Sequence, residues 1–331
     1  VKFGSVPLDR AEGAVLAHSV ALSDGRLRKG TALGAAELAR LAQGGIAEVV
    51  VARLAPEDVA EDAAAARLAQ ALVPDPDLVG LRIGPAATGR VNLFSQVTGV
   101  AEVDAARINA VNAVHPMITV ATVPKWQRMA QGAMVATVKI ISYAVPESDL
   151  VQACAVAAGG LQMRPTSIAT AQLIHTAVGD DDCDKGQRAI QTRMERMGVA
   201  LGDKMVVRHQ IDALTVALRG VTADLVMILT GSATSDSRDV APEAVRAAGG
   251  TVTHYGMPVD PGNLLFIGTL GGRPLIGLPG CARSPALNGA DWVMERLICG
   301  VPVSSADLMG MGVGGLLKEI PSRPRPRNAG Q

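Results

Sequence analysis

Between residues 173 and 298 short apolar runs alternate with amphipathic stretches, and this alternation limits the available folds more than any other feature of the chain. Residues 173–178 read as a strand and 187–197 as a helix stopped by Gly198. A strand at 203–207 and a helix at 212–219 follow. Residues 225–230 carry five apolar residues in a row before Thr230, the pattern of a strand buried on both faces. A helix at 242–248 ends at Gly249-Gly250, with strands through Val252, at 264–267 and at 274–278, and a closing helix at 283–298. The expectation is an α/β fold: a three-layer domain at 166–300 built on a mostly parallel sheet.

The preceding sequence is less regular. It predicts a small helix at 36–41, a strand at 48–51, and an Ala-rich helix opened by Pro56, Glu57 and Asp58 and running to Leu72. Pro74-Asp75-Pro76-Asp77 marks a boundary. We therefore expect smaller mixed α+β domains at 1–74 and 75–165. The second would hold a helix at 104–111, a strand at 117–122, one long strand at 133–145, and a helix opened by Pro146 and ended at Gly159-Gly160. Residues 301–331 read as a C-terminal extension ending in a mobile basic tail at 322–327.

Composition excludes several function classes. The 331 residues carry 31 basic and 31 acidic side chains, so no net charge favours nucleic acid or an anionic membrane. Three Phe, two Tyr and two Trp leave few stacking platforms for single strands. Cys154, Cys183, Cys281 and Cys299 lack CxxC spacing, and the five histidines lack ligand spacing. No apolar run is long enough for a signal or membrane segment. The expected setting is cytoplasmic.

In a parallel sheet, ligands bind where strands feed helices at the carboxyl edge. Three loops fall there. The first, Thr230-Gly231-Ser232-Ala233-Thr234-Ser235-Asp236-Ser237-Arg238-Asp239, offers small residues whose amides can meet an anion. It also offers Arg238 for a phosphate and Asp239 for Mg²⁺ or a ligand hydroxyl, or simply to cap a helix. The second holds Asp260, Pro261, Gly262 and Asn263, and reads otherwise as a tight turn. The third holds Pro279, Gly280, Cys281, Ala282, Arg283 and Ser284, and Cys281 reads otherwise as a buried thiol. The acidic run Asp180-Asp181-Asp182 with Asp184 reads as a solvated loop rather than a metal site.

Together the three loops resemble the molybdopterin-binding domain of molybdopterin molybdenumtransferases and adenylyltransferases. TGSATSDSRDVAPEA is similar to that family's TGGTG…RD-T-P-E, with Arg238, Asp239, Pro242 and Glu243 in matching places. Val259-Asp260-Pro261-Gly262-Asn263-Leu264 is similar to its M-K-P-G-K-P, and Gly277-Leu278-Pro279-Gly280-Cys281-Ala282 to its G-L-P-G-N-P. Residues 30–51 also resemble a molybdenumtransferase stretch. The chain departs from the family at Ser232 and Thr234 (glycines), at Asp260 and Asn263 (lysines), and in lacking an S-x-M-D-G-Y-A segment. About thirty residues follow the closing helix, fewer than the family's C-terminal β-domain needs.

The resemblance implies a molybdopterin-binding protein of molybdenum cofactor biosynthesis. As a transferase it would insert molybdenum from molybdate into adenylylated molybdopterin with Mg²⁺ help. Asp239 would then serve as catalytic and metal residue. Gly231, Ser232, Ala233, Thr234, Arg238, Asp260, Gly262, Asn263, Pro279, Gly280, Cys281 and Ser284 would bind the ligand. Two alternatives stand beside this: a non-catalytic carrier or sensor of molybdopterin or the finished cofactor, and a nucleotide-cleaving hydrolase. The implied partners are other cofactor-biosynthesis proteins and further copies of the chain in a homo-oligomer, with neither nucleic acid nor membrane.

Overall fold

The structure, a computed structural model, describes residues 1–180 and 182–317. It divides into two compact units. Residues 1–97, 101–125 and 131–163 form the first; residues 98–100, 126–130, 164–180 and 182–317 form the second.

In the first unit, strand Glu48–Arg53 pairs antiparallel with Lys2–Pro7 and with Val15–Leu16. Helix Ala35–Gln43 buries Leu41 in the same cluster as Leu16, Leu33, Val49 and Val51. A second sheet, wholly antiparallel, orders Ile118–Thr122, Met134–Ile140, Arg90–Ser95 and Leu81–Ile83. Helix Ala105–Val114 begins where Asp104 accepts the Arg107 N–H, and helix Glu147–Ala157 follows Pro146. Two expectations are corrected here. The Ala-rich helix is Glu61–Leu72 and does not start at Pro56, because Asp58–Ala60 forms a ladder with Ala144–Pro146. The long strand expected at 133–145 ends at Ile140, and 144–146 belongs to that separate ladder. A pairing partner more than eighty residues away overrides local propensity in both places.

The second unit contains the three-layer architecture. Its seven-stranded sheet runs Ala200–Leu201, Thr170–Ala177, Leu225–Leu229, Arg273–Leu278, Asn263–Leu270, Thr251–Met257, with Met205–Arg208 also paired to Thr170–Ala177. Pairings are parallel as far as Arg273–Leu278; Asn263–Leu270 then lies antiparallel to both neighbours. The sheet is therefore mixed. Gly271-Gly272 causes the reversal: both glycines have positive φ (57° and 78°), as a two-residue hairpin matched to strand twist requires.

Side-chain alternation sends successive residues to opposite layers. Leu173, Met227, Leu229 and Ile276 pack with Ile190 and Met194 of helix Asp184–Met197 and with Val293 and Met294 of helix Gly289–Ile298. Ile174, Val226, Ile228 and Leu275 pack with Leu214 and Leu218 of helix Ile211–Arg219 and with Ala244 and Val245 of helix Val240–Ala247. Leu225–Leu229 is buried at every residue, as its unbroken apolar run predicts. Gly277 sits opposite Phe266, and a Cβ there would fall 1.9 Å from the ring, so only glycine admits the aromatic side chain.

The closing helix is shorter than expected. A 3-10 turn, Gly280–Arg283, comes first, and the α-helix begins at Gly289 behind an Asn288–Asp291 capping box. After helix Ser305–Met309 the chain returns to the second loop, where the Asp260 N–H donates to the Gly315 carbonyl at 2.7 Å. The basic stretch 322–327 lies outside the described residues. No helix among the described residues is long and apolar enough to cross a membrane.

Candidate functional site

The reversal of Asn263–Leu270 positions the site. Strands Leu225–Leu229 and Arg273–Leu278 end at one sheet edge, and the antiparallel strand begins at that same edge. All three loops thus emerge together and enclose one groove of about 670 Å³, a volume typical of small-molecule sites.

Ten of the expected residues line it: Gly231, Ser232, Ala233, Thr234, Asp260, Gly262, Asn263, Pro279, Gly280 and Cys281. Arg238, Asp239 and Ser284 do not. The groove also takes in Thr230, Pro261, Leu264, Leu278, Arg283 and Leu316. Arg283 is the one cationic side chain among the described lining residues, and its guanidinium donates to the Thr230 carbonyl at 2.6 Å, tying the third loop to the first. Leu316 comes from the returning C-terminal segment, and nothing in its local sequence marks it.

In the first loop, Gly231 packs so closely that an added Cβ would lie 2.6 Å from the Thr176 carbonyl. Its N–H donates to Thr176 Oγ1 at 3.1 Å, and that hydroxyl also meets His209 Nδ1 at 2.8 Å. The amide of Gly231 is therefore spent inside the fold. Those of Ser232, Ala233 and Thr234 have no acceptor among the described residues. The Tyr255 hydroxyl donates to the Thr234 carbonyl; burial raises the Tyr255 pKa, and the nearby Asp236 and Asp239 carboxylates raise it further.

Asp239 caps helix Val240–Ala247. Its carboxylate accepts the Ser235 N–H at 2.8 Å and the Val240 N–H at 2.7 Å. Arg238 is exposed, and its N–H donates to Asp236 Oδ1. Ser284 Oγ accepts the Ala286 N–H within its own loop. Lys185 is exposed and off the groove.

The second loop is conformationally unusual. Asp260 has φ +46°, a region that side-chain-bearing residues rarely occupy and hold only when their surroundings impose it. Asn263 is 6% exposed, with its Oδ1 accepting the Leu265 N–H at 3.1 Å. Its Nδ2 is buried without a hydrogen-bond partner among the described residues.

Elsewhere Asp184, at the end of the acidic run, is ion-paired at the surface. Lys204 contacts Asp184 at 2.6 Å and Arg188 lies 3.7 Å from it; the lysine holds the Asp184 carboxyl below its ordinary range. Among the described residues no set of three or more His, Cys, Asp or Glu side chains is placed to hold a metal ion.

Residues 5–53 match a protein family described as a Domain of unknown function (DUF8806). No curated protein matches the chain. Among solved structures, the chain is similar to the crystal structure of molybdenum cofactor biosynthesis protein B. That likeness has 15% identity and a TM-score of 0.32, and covers 41% of this chain and 96% of the other. It is also similar to CinA, a protein with unknown function from Thermoplasma acidophilum, at 16% identity and a TM-score of 0.26, covering 36% of this chain and 91% of the other.

Proposed function

We propose that the groove binds a phosphorylated pterin of the molybdopterin type, and that the protein works in the biosynthesis or handling of the molybdenum cofactor. The observation that carries this reading is the meeting of three motif-bearing loops, spread over more than fifty residues, at one groove. The amides of Ser232, Ala233 and Thr234 and the Arg283 guanidinium supply donors for phosphate oxygens. Pro261, Leu264, Leu278 and Leu316 supply apolar wall for a flat ring system.

Mg²⁺ fits this arrangement only in company. The Asp239 carboxylate uses two of its roughly four acceptor positions on backbone N–H groups. Asp239 lies outside the groove lining, and no set of three His, Cys, Asp or Glu side chains is placed to hold a metal among the described residues. The ion would therefore be held mainly by ligand phosphate oxygens, with Asp239 at the end of the first loop as its one protein ligand. Once bound, the ion would neutralise phosphate charge. The chain's own contribution is to orient the ligand between fixed amides and Arg283, so rate would come from positioning and charge stabilisation.

A second reading is favoured by one feature. Asp260 and Asn263 occupy the groove in place of the family's lysines, leaving Arg283 as its single cationic side chain among the described residues. That balance suits a carrier that holds the cofactor better than a transferase that must also attract molybdate. Incubating the purified protein with adenylylated molybdopterin and molybdate separates the two. AMP release that needs molybdate supports the transferase, and tight binding without turnover supports the carrier. Absence of binding defeats both, and cleavage of ordinary dinucleotides points to a hydrolase.

A further inference from the structure

Asn263 presents a problem that its neighbours in the fold do not solve. Its side chain lines the groove at 6% exposure. The Leu265 N–H at 3.1 Å can only donate, so the atom facing it must be Oδ1, and the orientation of the amide is set. Nδ2 is thereby left buried with no acceptor among the described residues. Leaving such a donor unsatisfied is costly, and native folds rarely tolerate it without a use.

We infer that Asn263 is a specificity-determining residue whose Nδ2 donates to an uncharged carbonyl-type oxygen on the ring of the bound ligand. The inference deepens the proposed function and rests on it. The acceptor is uncharged for an electrostatic reason. Asp260 lies three residues away and lines the same groove, and its carboxylate repels an oxyanion at this wall. Arg283 and the unaccepted amides of the first loop are the better place for phosphate. An anchored amide donor beside a carboxylate therefore reads an oxo group on a heterocycle. It disfavours an amino group at the same position, which would turn a second donor toward Nδ2.

The test compares two probes with the full-length protein: a phosphorylated 2-amino-4-oxopteridine and its 2,4-diamino counterpart, titrated by fluorescence. The native protein should prefer the oxo probe by roughly 10- to 100-fold. In Asn263→Asp the acceptor for the Leu265 N–H is retained while the donor becomes an acceptor. The new carboxylate is buried near Asp260, so the melting temperature should fall; binding is compared below the unfolding transition, where the variant should lose or invert the preference. The ratio is the readout, because the added charge weakens both probes. Equal binding of the two probes by the native protein, or an unchanged ratio in Asn263→Asp, overturns the inference and leaves the proposed function standing. Binding of neither probe overturns the proposed function and the inference with it.

Discussion

Arg193 and Asp291 form an ion pair at 2.5 Å with both residues more than nine-tenths buried. The same guanidinium donates to the carbonyls of Ala282, Ser284 and Ala286. One side chain thus holds the third loop open in a shape that is not helical, between strand Arg273–Leu278 and helix Gly289–Ile298. Arg193→Met should cost about 3–5 kcal/mol, because Asp291 is left buried and unpaired. Arg193→Lys keeps the charge but loses the planar fork, so ligand affinity should fall more than stability does. Chemical denaturation and ligand titration of the two variants measure both effects.

Arg283 is expected to be the groove's main attraction for phosphate. Arg283→Gln should weaken binding of a phosphorylated pterin about tenfold or more and flatten its dependence on ionic strength. Arg238→Gln, altering an exposed side chain outside the groove lining, should have only a small effect. Titrations at two salt concentrations compare them.

Asp239 has a capping role in the fold and a proposed role toward Mg²⁺, and two substitutions separate these. Asp239→Ala removes both and should destabilise the protein by about 1 kcal/mol. Asp239→Ser retains a cap acceptor, so stability should stay close to that of the native protein. Any strengthening of ligand binding by Mg²⁺ should be lost in both variants. Mg²⁺ sensitivity preserved in Asp239→Ser would remove the metal role.

Glu295 gives the stability a pH dependence. Burial, reinforced by the Asp291 carboxylate, raises its pKa to about 7, although Arg128 lies 3.3 Å away. Desolvation therefore outweighs the ion pair. The folded state holds this proton more tightly than the unfolded chain. The resulting stability is fully present below the ordinary carboxyl range and is lost as pH rises through about 7. The shift corresponds to about 3 kcal/mol. Denaturation midpoints between pH 4.5 and 8 should decline in the native protein and flatten over that interval in Glu295→Gln.

Local physics made much of the second unit legible. Residues 225–229 are too apolar to face water, Gly198 ends a helix with φ +72°, and Asp239 precedes a helix it caps. Each of these outcomes depends on neighbours a few residues away, and each followed from spacing alone. The first and third loops followed in the same way, since each leaves a strand at the carboxyl edge on the way to a helix. The second reaches that edge only because Asn263–Leu270 runs antiparallel, against the mostly parallel sheet expected.

What the chain does at a distance was not readable. The ladder of Asp58–Ala60 with Ala144–Pro146 displaced a predicted helix start, and Arg193 delayed the closing helix from 283 to 289. Thr176 took the Gly231 amide away from the groove, while Leu316 entered it from the far end of the described chain. Sequence periodicity by itself determined the layers, since burial of one face is a property of nearest neighbours, while the antiparallel course of Asn263–Leu270 brought the three loops to one edge. Only the tertiary structure decided which donors those loops keep for a ligand, because a hydrogen bond is claimed by whichever partner packing brings within about 3 Å.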